Sequence, residues 1–335
     1  MNDRVALVTG AAGEMGHVLI PDLLRQGFQV VAVDLRALPE SLARACRECA
    51  DASILDDRAM HRLFARHRFS HVFHLAAILS SKAEKDPELA HRVNVEGTFG
   101  LYRLCLQQGQ DSGTPPRLLF PSSIAVYGLP DAGTKTAHGA VRESEWLVPA
   151  GMYGCNKLYC ELVGKYLSRR HDGTGRPPLD FRSIRFPGLI SSETLPTGGT
   201  TDYAPEMIHA AARGVPYTCF VREDSRLPFM TMPDAVEALL RLGAADAARL
   251  STRVYNIRAF SVSAGEIRDE VLRHFPDAQI SFEPVPARQA IVDSWPADLD
   301  DSAARADWGL SPRHGFAEAL GAYLVPALRA HYAST

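Results

Sequence analysis

A tyrosine and a lysine stand four residues apart in the stretch Y-G-C-N-K, at Tyr153 and Lys157. At that spacing both side chains lie on one face of a helix. A tyrosine with a pKa of about 10 is a poor base at neutral pH, but a neighbouring ammonium group favours its phenolate form. The pair predicts a general base, although this spacing alone also occurs in unrelated chains.

A serine and two short motifs precede the pair. Ser123 lies 30 residues before Tyr153, in P-S-S-I-A-V-Y-G, at the end of a predicted strand where its hydroxyl can bind a reacting oxygen. H-L-A-A at residues 74–77 and N-V-E-G-T at residues 94–98 come before that serine. The combination and its order favour proton-transfer chemistry over a chance spacing.

Three glycines lie between a predicted strand and a predicted helix in T-G-A-A-G-E-M-G, at Gly10, Gly13 and Gly16. Their spacing is G-x-x-G-x-x-G rather than the G-x-G-x-x-G of many dehydrogenases. A turn of this kind lets the backbone approach a pyrophosphate and directs a helix N-terminus at its charge. The position between strand and helix therefore indicates a dinucleotide site.

Asp34 ends the second predicted strand, 18 residues after Gly16. A carboxylate at this point of a βαβ unit accepts hydrogen bonds from the adenosine ribose hydroxyls and repels a 2′-phosphate. Arg36 is close enough in sequence to complicate this choice. We expect NAD as the cofactor rather than NADP.

Short β-branched runs alternate with helical stretches through the first half of the chain. Strands are predicted at residues 4–9, 29–33, 71–75, 117–120 and 180–185, and helices at 15–26, 87–108 and 153–170. This alternation is typical of a Rossmann-type α/β fold with a doubly wound parallel sheet. We expect a cofactor domain over 1–184 and a smaller, irregular α/β substrate domain over 185–335, with segments around 217–258 returning to the sheet.

The composition is that of an ordinary globular protein: of 335 residues, 46% are apolar and 22% charged, and the net charge is −3. Nothing in this balance favours a nucleic-acid or anionic membrane partner. No apolar run approaches the roughly 20 residues that span a bilayer, and the first residues lead into a strand without a signal-peptide segment. Six scattered cysteines predict no disulfide framework. We expect a cytoplasmic protein.

Two groups of side chains invite a metal site. Cys46 and Cys49 form a C-x-x-C, but no second pair accompanies it. His67, His71 and His74 are close in sequence, but a three-residue offset on a strand points the last two to opposite faces. We therefore expect no metal.

The glycine turn, H-L-A-A, N-V-E-G-T, the serine and Y-G-C-N-K occur in the order found in the extended short-chain dehydrogenase/reductase superfamily, which the whole chain resembles. The resemblance implies a catalytic group of Ser123, Tyr153 and Lys157, with Asn94 supporting the lysine. It also implies adenine contacts from Asp51 and Ala52. The expected cofactor contacts are Gly10, Gly13, Glu14, Met15, Gly16, Asp34, Asp51, Ala52, Leu75, Ala76, Ala77, Asn94, Tyr153, Lys157 and Phe186.

The second half discriminates among the reactions of this superfamily. Sugar-nucleotide enzymes usually carry an R-Y-F-N-like segment, whereas residues 185–191 read R-F-P-G-L-I-S, so Pro187 offers no polar side chain there. This segment, P-T-G-G-T-T-D-Y-A at 196–204, and the segments 217–220, 226–235 and 293–309 resemble, in this order, the short-chain-type L-threonine 3-dehydrogenases.

That resemblance implies oxidation of L-threonine at C3 to 2-amino-3-oxobutyrate, with Tyr153 as the base. The hydroxyls and glycines of 196–204 suit a small zwitterion, and a flexible surface loop is the alternative. Closure of this segment and the Trp295 region would exclude water. Arg226 is open between a substrate contact and an ion pair. The expected substrate contacts are Ser80, Ser123, Tyr153, Gly188, Thr200, Thr201 and Trp295.

Two rival functions stay open. A nucleotide-sugar 4-epimerase would hold NAD tightly, and Pro187 speaks against it. A non-catalytic nucleotide sensor would be free to lose the tyrosine or lysine that this chain retains. Relatives commonly form dimers through helices, and we expect a homodimer that packs on residues 94–108 and 153–170.

Overall fold

The computed structural model describes residues 4–169, 178–192 and 199–333. Its strands are β1 Val5–Thr9, β2 Gln29–Asp34, β3 Glu48–Asp51, β4 His71–His74, β5 Arg117–Ser123, β6 Ala140–Val141, β7 Asp180–Phe186, β8 Gly188–Ile190, β9 Tyr217–Cys219, β10 Arg226–Thr231, β11 Val254–Asn256, β12 Phe260–Ser263, β13 Ile280–Phe282 and β14 Asp298–Leu299. Its helices are α1 Glu14–Arg25, α2 Glu40–Ala45, α3 Asp57–Arg66, α4 Ser80–Lys85, α5 Pro87–His91, α6 Thr98–Ser112, α7 Ala132–His138, α8 Met152–Arg169, α9 Tyr203–Ala212, α10 Met232–Ala244, α11 Ala264–His274, α12 Pro286–Ser294, α13 Ser302–Trp308, α14 Phe316–Glu318 and α15 Val325–Ala333.

A seven-stranded sheet in the order β3-β2-β1-β4-β5-β7-β11 forms the centre of the molecule. Every neighbouring pair in it is parallel. The chain winds outward from β1 in both directions, so the predicted Rossmann-type doubly wound fold is confirmed. The strand β3 was not predicted, and β11 was expected only as part of the segments around 217–258 that return to the sheet, because both strands are short and lack a long apolar run.

Both faces of this sheet are covered, which explains the continuous apolar runs of its inner strands. In β1, Val5 and Leu7 join one hydrophobic cluster, while Ala6 and Val8 join the cluster on the opposite face. The helix α1 follows the glycine turn after β1, and α10 packs beside it. The carboxyl ends of the inner strands consequently meet at one edge, where a ligand can bind.

A third hydrophobic cluster lies beyond the sheet and belongs mainly to the second half of the chain. Around it are a three-stranded sheet in the order β12-β10-β8 and the parallel pairs β13 with β9 and β14 with β6. The strand β11, in contrast, pairs with β7 in the large sheet. Within the described residues, no helix combines the length and apolar character needed to cross a bilayer.

Candidate active site

A cavity of about 710 Å³ opens at the carboxyl edge of the large sheet. Its wall contains segments from both halves of the chain, including residues directly after β1, β4 and β5. Of the residues predicted as contacts, it is lined by Gly10, Gly13, Glu14, Met15, Gly16, Asp34, Ala52, Leu75, Ala76, Ala77, Ser80, Ser123, Tyr153, Lys157, Phe186, Thr200, Thr201 and Trp295.

The glycine turn closes tightly against the neighbouring strand. Gly10 has a φ of +68°, and a Cβ there would lie 2.6 Å from the backbone nitrogen of Ala76. At Gly16, a Cβ would lie 2.1 Å from the carbonyl oxygen of Ala11. Gly13 caps α1 without a side chain that bonds the first-turn amides. These amides suit an anion such as a pyrophosphate, so the cradle fits a dinucleotide.

Asp34 lies at the end of β2, with its side chain 10% exposed. Its two carboxylate oxygens accept hydrogen bonds from the backbone nitrogens of Ala12 and Arg36, each at 2.9 Å. The guanidinium of Arg36 donates to the carbonyl oxygen of Ala12 at 2.6 Å and lies 3.8 Å from the Asp34 carboxylate. The carboxylate is therefore held in place at the wall where an adenosine ribose would bind.

The predicted catalytic group converges from two elements. Ser123 ends β5, and its hydroxyl accepts a hydrogen bond from the backbone nitrogen of Ala125 at 3.1 Å. Tyr153 and Lys157 lie in the first turns of α8 and share one face, as predicted. The ammonium of Lys157 donates to the carbonyl oxygen of Pro121 at 2.7 Å and lies 5.5 Å from the ring centroid of Tyr153.

The pKa of Tyr153 differs from the expectation. We expected Lys157 to favour the phenolate, but burial raises the pKa of Tyr153 above its ordinary value. Burial also lowers the pKa of Lys157 to about 8, against the opposing effect of Cys160 and Glu161. Both shifts disfavour the charged forms, so burial works against a phenolate at Tyr153 and an ammonium at Lys157.

A buried ion pair supports this group from behind. Arg185 donates to both carboxylate oxygens of Glu161, at 2.9 and 2.6 Å, and each side chain is no more than 1% exposed. Ser122 donates to the same carboxylate at 2.5 Å, and Arg185 also donates to the hydroxyl of Tyr127 at 2.8 Å. The network joins β5, β7 and α8, and the sequence offered no pattern that revealed it.

The end of the cavity that is predicted to bind substrate, called the substrate end below, is rich in hydroxyls. Ser80, the first residue of α4, lies 3.3 Å from Thr200, measured between the hydroxyl oxygens. Trp295 follows α12 and is 5% exposed. Asp202, which was not predicted, lines the same end and accepts a hydrogen bond from the backbone nitrogen of Gly199 at 2.6 Å. Residues 193–198, with the first part of the predicted substrate loop, lie outside the described residues.

Three predicted contacts do not line the cavity. Asp51 is exposed on β3, and the wall near it is formed by Ala52 and two residues that were not predicted, Ser53 and Ile54. Gly188 is buried, and a Cβ there would lie 2.5 Å from the ring of Phe229. Its tight packing, rather than a ligand, explains a glycine at this position.

Asn94 is the third. Its amide accepts from the backbone nitrogen of Ile78 at 2.7 Å and donates to the carbonyl oxygen of Ile78 at 3.0 Å. It also donates to the side chain of Asn156 at 3.3 Å. The described hydrogen bonds of Asn94 thus hold the wall segment after β4, and none of them reaches the ammonium of Lys157 directly, whereas the resemblance implies support that often runs through water. Arg226, left open above, pairs with Glu266 at 2.7 Å and lies outside the cavity wall.

Other wall residues were missed, among them Ser191 and Met232. Each lies within or directly beside a segment that carries the family resemblance. Its position next to the predicted contacts could therefore have indicated it. Met232 begins α10, whose N-cap is the Thr231 hydroxyl.

The histidines on β4 have separate partners. His71 stacks on Phe73 and packs edge-on against Phe28, while His74 lies on the opposite face near Phe120. The ring nitrogens of His74 lie 2.7 and 2.8 Å from the hydroxyls of Thr9 and Thr98. Within residues 4–169, 178–192 and 199–333, no three His, Cys, Asp or Glu side chains group as metal ligands.

Comparison with known proteins agrees with this geometry. A model of the NAD dependent epimerase/dehydratase family matches residues 6–257. The mitochondrial L-threonine 3-dehydrogenase of Bos taurus is 35% identical over 306 residues, 90% of this chain and 77% of that protein.

Two solved structures cover nearly the whole chain. The GalE-like L-threonine dehydrogenase from Cupriavidus necator, in its holo form, is 34% identical with a TM-score of 0.85, over 98% of this chain and 99% of that one. A monomeric L-threonine 3-dehydrogenase from a metagenome database is 33% identical with a TM-score of 0.84, over 97% and 98%. The chain therefore belongs to the NAD dependent epimerase/dehydratase family, whose cofactor is a nicotinamide dinucleotide, and is similar to L-threonine 3-dehydrogenases over most of its length.

Proposed function

We propose that this protein oxidises L-threonine at C3 to 2-amino-3-oxobutyrate and passes the hydride to NAD. The observation that carries the proposal is one cavity that joins the Ser123, Tyr153 and Lys157 side chains to a hydroxyl-rich end closed by Thr200 and Trp295. The similarity to named L-threonine 3-dehydrogenases supports the same substrate.

In this proposal Tyr153 accepts the proton of the C3 hydroxyl, and Ser123 donates a hydrogen bond to the same oxygen. When bound, the oxidised dinucleotide supplies the hydride acceptor and a positive charge on its nicotinamide ring. Lys157 holds its ammonium behind Tyr153 and so limits the cost of the phenolate. Because burial raises the pKa of Tyr153, positive charge close to its hydroxyl favours the phenolate that this step needs.

A zwitterionic amino acid needs partners for both of its charges. The hydroxyls of Ser80, Thr200 and Thr201 can donate to the substrate carboxylate, and the carboxylate of Asp202 can attract the substrate ammonium group. Trp295 adds an apolar surface over the same end. Pro187 also lines the cavity, and its ring offers no polar side chain to a diphosphate.

Selectivity for NAD follows from Asp34. Its charge would repel the 2′-phosphate of NADP, and its carboxylate oxygens can accept from the ribose hydroxyls. Arg36 approaches this carboxylate only to 3.8 Å and is itself 70% exposed, so its charge offsets that of Asp34 incompletely.

The first experiment is to follow reduced nicotinamide by its absorbance when the purified protein meets NAD and L-threonine. L-serine, L-allo-threonine, UDP-glucose and NADP in place of NAD serve as parallel reactions. A steady rise with L-threonine and NAD, and slower rises elsewhere, is the expected result. Absence of a rise with L-threonine would overturn the proposal, and conversion of UDP-glucose without released NADH would indicate a 4-epimerase.

We further propose a homodimer that packs through α6 and α8. Exposed apolar side chains lie along α8 at Tyr159, Leu162 and Tyr166, and Phe99 on α6 is 43% exposed. Light scattering should give twice the mass of the chain, and Leu162→Asp should shift the measured mass toward that of a single chain.

The six free thiols suit a reducing compartment, in line with a cytosolic protein.

A further inference from the structure

The helix α12 lies behind the substrate end and leads directly into Trp295. Besides that tryptophan it carries Arg288, whose side chain reaches a separate part of the cavity wall. The guanidinium of Arg288 donates to the carbonyl oxygen of Gly199 at 2.8 Å. One helix thus contacts two walls of the substrate end that are far apart in sequence.

Arg288 is held in a defined place by its surroundings. Its guanidinium carbon lies 3.1 Å from the ring centroid of Phe220, a buried side chain. Burial lowers the pKa of Arg288, and the nearby Glu206, Tyr217 and Asp202 oppose that effect. A planar cation between an aromatic face and acidic neighbours has little freedom to leave its carbonyl partner.

The carbonyl that Arg288 binds begins a tight turn. Within it, the backbone nitrogen of Gly199 donates to the carboxylate of Asp202 at 2.6 Å, and the backbone nitrogen of Asp202 donates to the Gly199 carbonyl at 3.3 Å. Thr200 and Thr201 lie between them and line the cavity. The orientation of this turn therefore decides where the substrate-facing hydroxyls point.

The helix itself is firmly anchored. The buried ammonium of Lys135 donates to the carbonyl oxygen of Val292 at 2.8 Å. Arg222 forms two hydrogen bonds of 2.9 Å with the carboxylate of Asp293, and its backbone nitrogen donates to Gln289 at 2.7 Å. The middle and the C-terminal end of α12 are thus fixed to other elements, so Arg288 acts from a rigid base.

We infer that Arg288 is a positioning residue that fixes the Gly199–Asp202 turn against α12 and thereby sets the affinity for the amino-acid substrate. This inference rests on the proposed function, because it assigns the turn to the substrate. It places Arg288 outside the chemistry itself, since the residue is not part of the cavity wall.

The test compares Arg288→Met with wild type and with Arg268→Met. Arg268 is a matched control: it pairs with Glu223 and lies 5.4 Å from the ring centroid of Phe282, but it does not line the cavity. We expect Arg288→Met to raise KM for L-threonine about tenfold, as for one lost charge-assisted hydrogen bond, with KM for NAD unchanged. Arg268→Met should change neither constant.

Hydrogen exchange of the NAD-bound proteins gives a second readout that needs no turnover. Faster exchange at the amides of residues 199–204 in Arg288→Met alone would support the inference. Arg288→Lys keeps the charge without the planar fork and should fall between wild type and Arg288→Met in both readouts, which keeps the test usable if the methionine variant folds poorly.

Unchanged exchange together with an unchanged KM for L-threonine would overturn the inference. Equal rises in the KM values for L-threonine and NAD would also overturn it, since they would indicate a general loss of structure. If wild type does not oxidise L-threonine, the proposed function fails, while the exchange data still decide whether Arg288 holds the turn.

Discussion

The two ends of the cavity are built in different ways. At the dinucleotide end the chain presents mainly backbone from the segments that directly follow β1 and β4. These segments pack so closely that a Cβ added at Gly10 would lie 2.6 Å from the backbone nitrogen of Ala76. At the substrate end, Ser80, Thr200 and Trp295 come from three distant parts of the chain. A side-chain hydrogen bond from Arg288 on α12, rather than strand pairing, joins the Thr200 segment to the Trp295 segment.

This difference has a general consequence. A backbone cradle requires glycine at fixed positions next to a strand, so its residues can be recognised along the sequence. A side-chain pocket requires only that suitable groups meet in space, and many sequences satisfy that condition. We therefore expect substitutions at the dinucleotide end to act through backbone strain, and those at the substrate end through single lost contacts.

The largest effect is expected where the two ends meet. Tyr153→Phe removes the group that accepts the proton, and turnover should fall by about a thousandfold or more. Binding of NAD, measured by fluorescence titration, should stay within a few fold of wild type because the dinucleotide cradle is intact. Full activity in this variant would contradict the assigned base.

Gly10→Ala tests the backbone end. The new Cβ would meet the Ala76 nitrogen at 2.6 Å, so the turn must open, and we expect NAD affinity to fall roughly tenfold or more. Gly113→Ala is the matched control, because Gly113 has a similar φ of +74° but nothing within 4 Å of an added Cβ. The temperature of thermal unfolding should fall in both variants, whereas the affinity for NAD should fall only in Gly10→Ala.

A smaller effect is expected from Thr200→Val at the substrate end. Valine keeps the shape of threonine but removes the hydroxyl that faces Ser80, so KM for L-threonine should rise about fivefold, without a change in KM for NAD. The same change at Thr201 gives the comparison, because both residues line the wall. A rise in KM for L-threonine in Thr201→Val alone would assign the substrate contact to Thr201 instead of Thr200.

The smallest effect on activity is expected from His74→Gln, which tests the support beneath the dinucleotide end. Burial, with the charge of Lys157, lowers the pKa of His74 to about 3, below its ordinary value of 6.5. At pH values between these two pKa values, the His74 side chain is protonated in the unfolded chain but neutral in the folded chain. The free energy of unfolding therefore falls as pH is lowered from 6.5 toward the pKa of His74 in the folded state.

Urea unfolding at several pH values measures this loss. His74→Gln removes one titrating group, so its stability should decline less steeply below pH 6.5. Some decline should persist, because burial also lowers the pKa of His71 to about 4. An identical slope in variant and wild type would show that His74 does not resist protonation in the folded protein.

Much of the fold could be predicted because its signals are local. The predicted strands at 4–9, 29–33 and 71–75 agree with β1, β2 and β4 within one residue at each end, since long buried runs leave a continuous apolar pattern. The short strand β11 carries no such pattern, and it pairs with β7 only because the chain returns to the sheet edge.

The candidate site was predicted less evenly. Gly188 was expected at the substrate but packs under Phe229, and Asp51 was expected at the adenine but is exposed beyond the wall. Position along a motif predicts the segment that contacts a ligand, but the direction of each side chain depends on neighbours from elsewhere. The raised pKa of Tyr153 has the same origin, because burial depends on the packed surroundings.

Short-range backbone geometry accounts for the βαβ order, the glycine turn and the Tyr153–Lys157 spacing, so the amino-acid order is enough to predict all three. Tertiary structure alone decided that Arg288 reaches Gly199, that Lys135 anchors α12, and which residues line the cavity. Such contacts join segments 89 and 157 residues apart in the chain. No local pattern specifies them, because they form only when the whole molecule is packed.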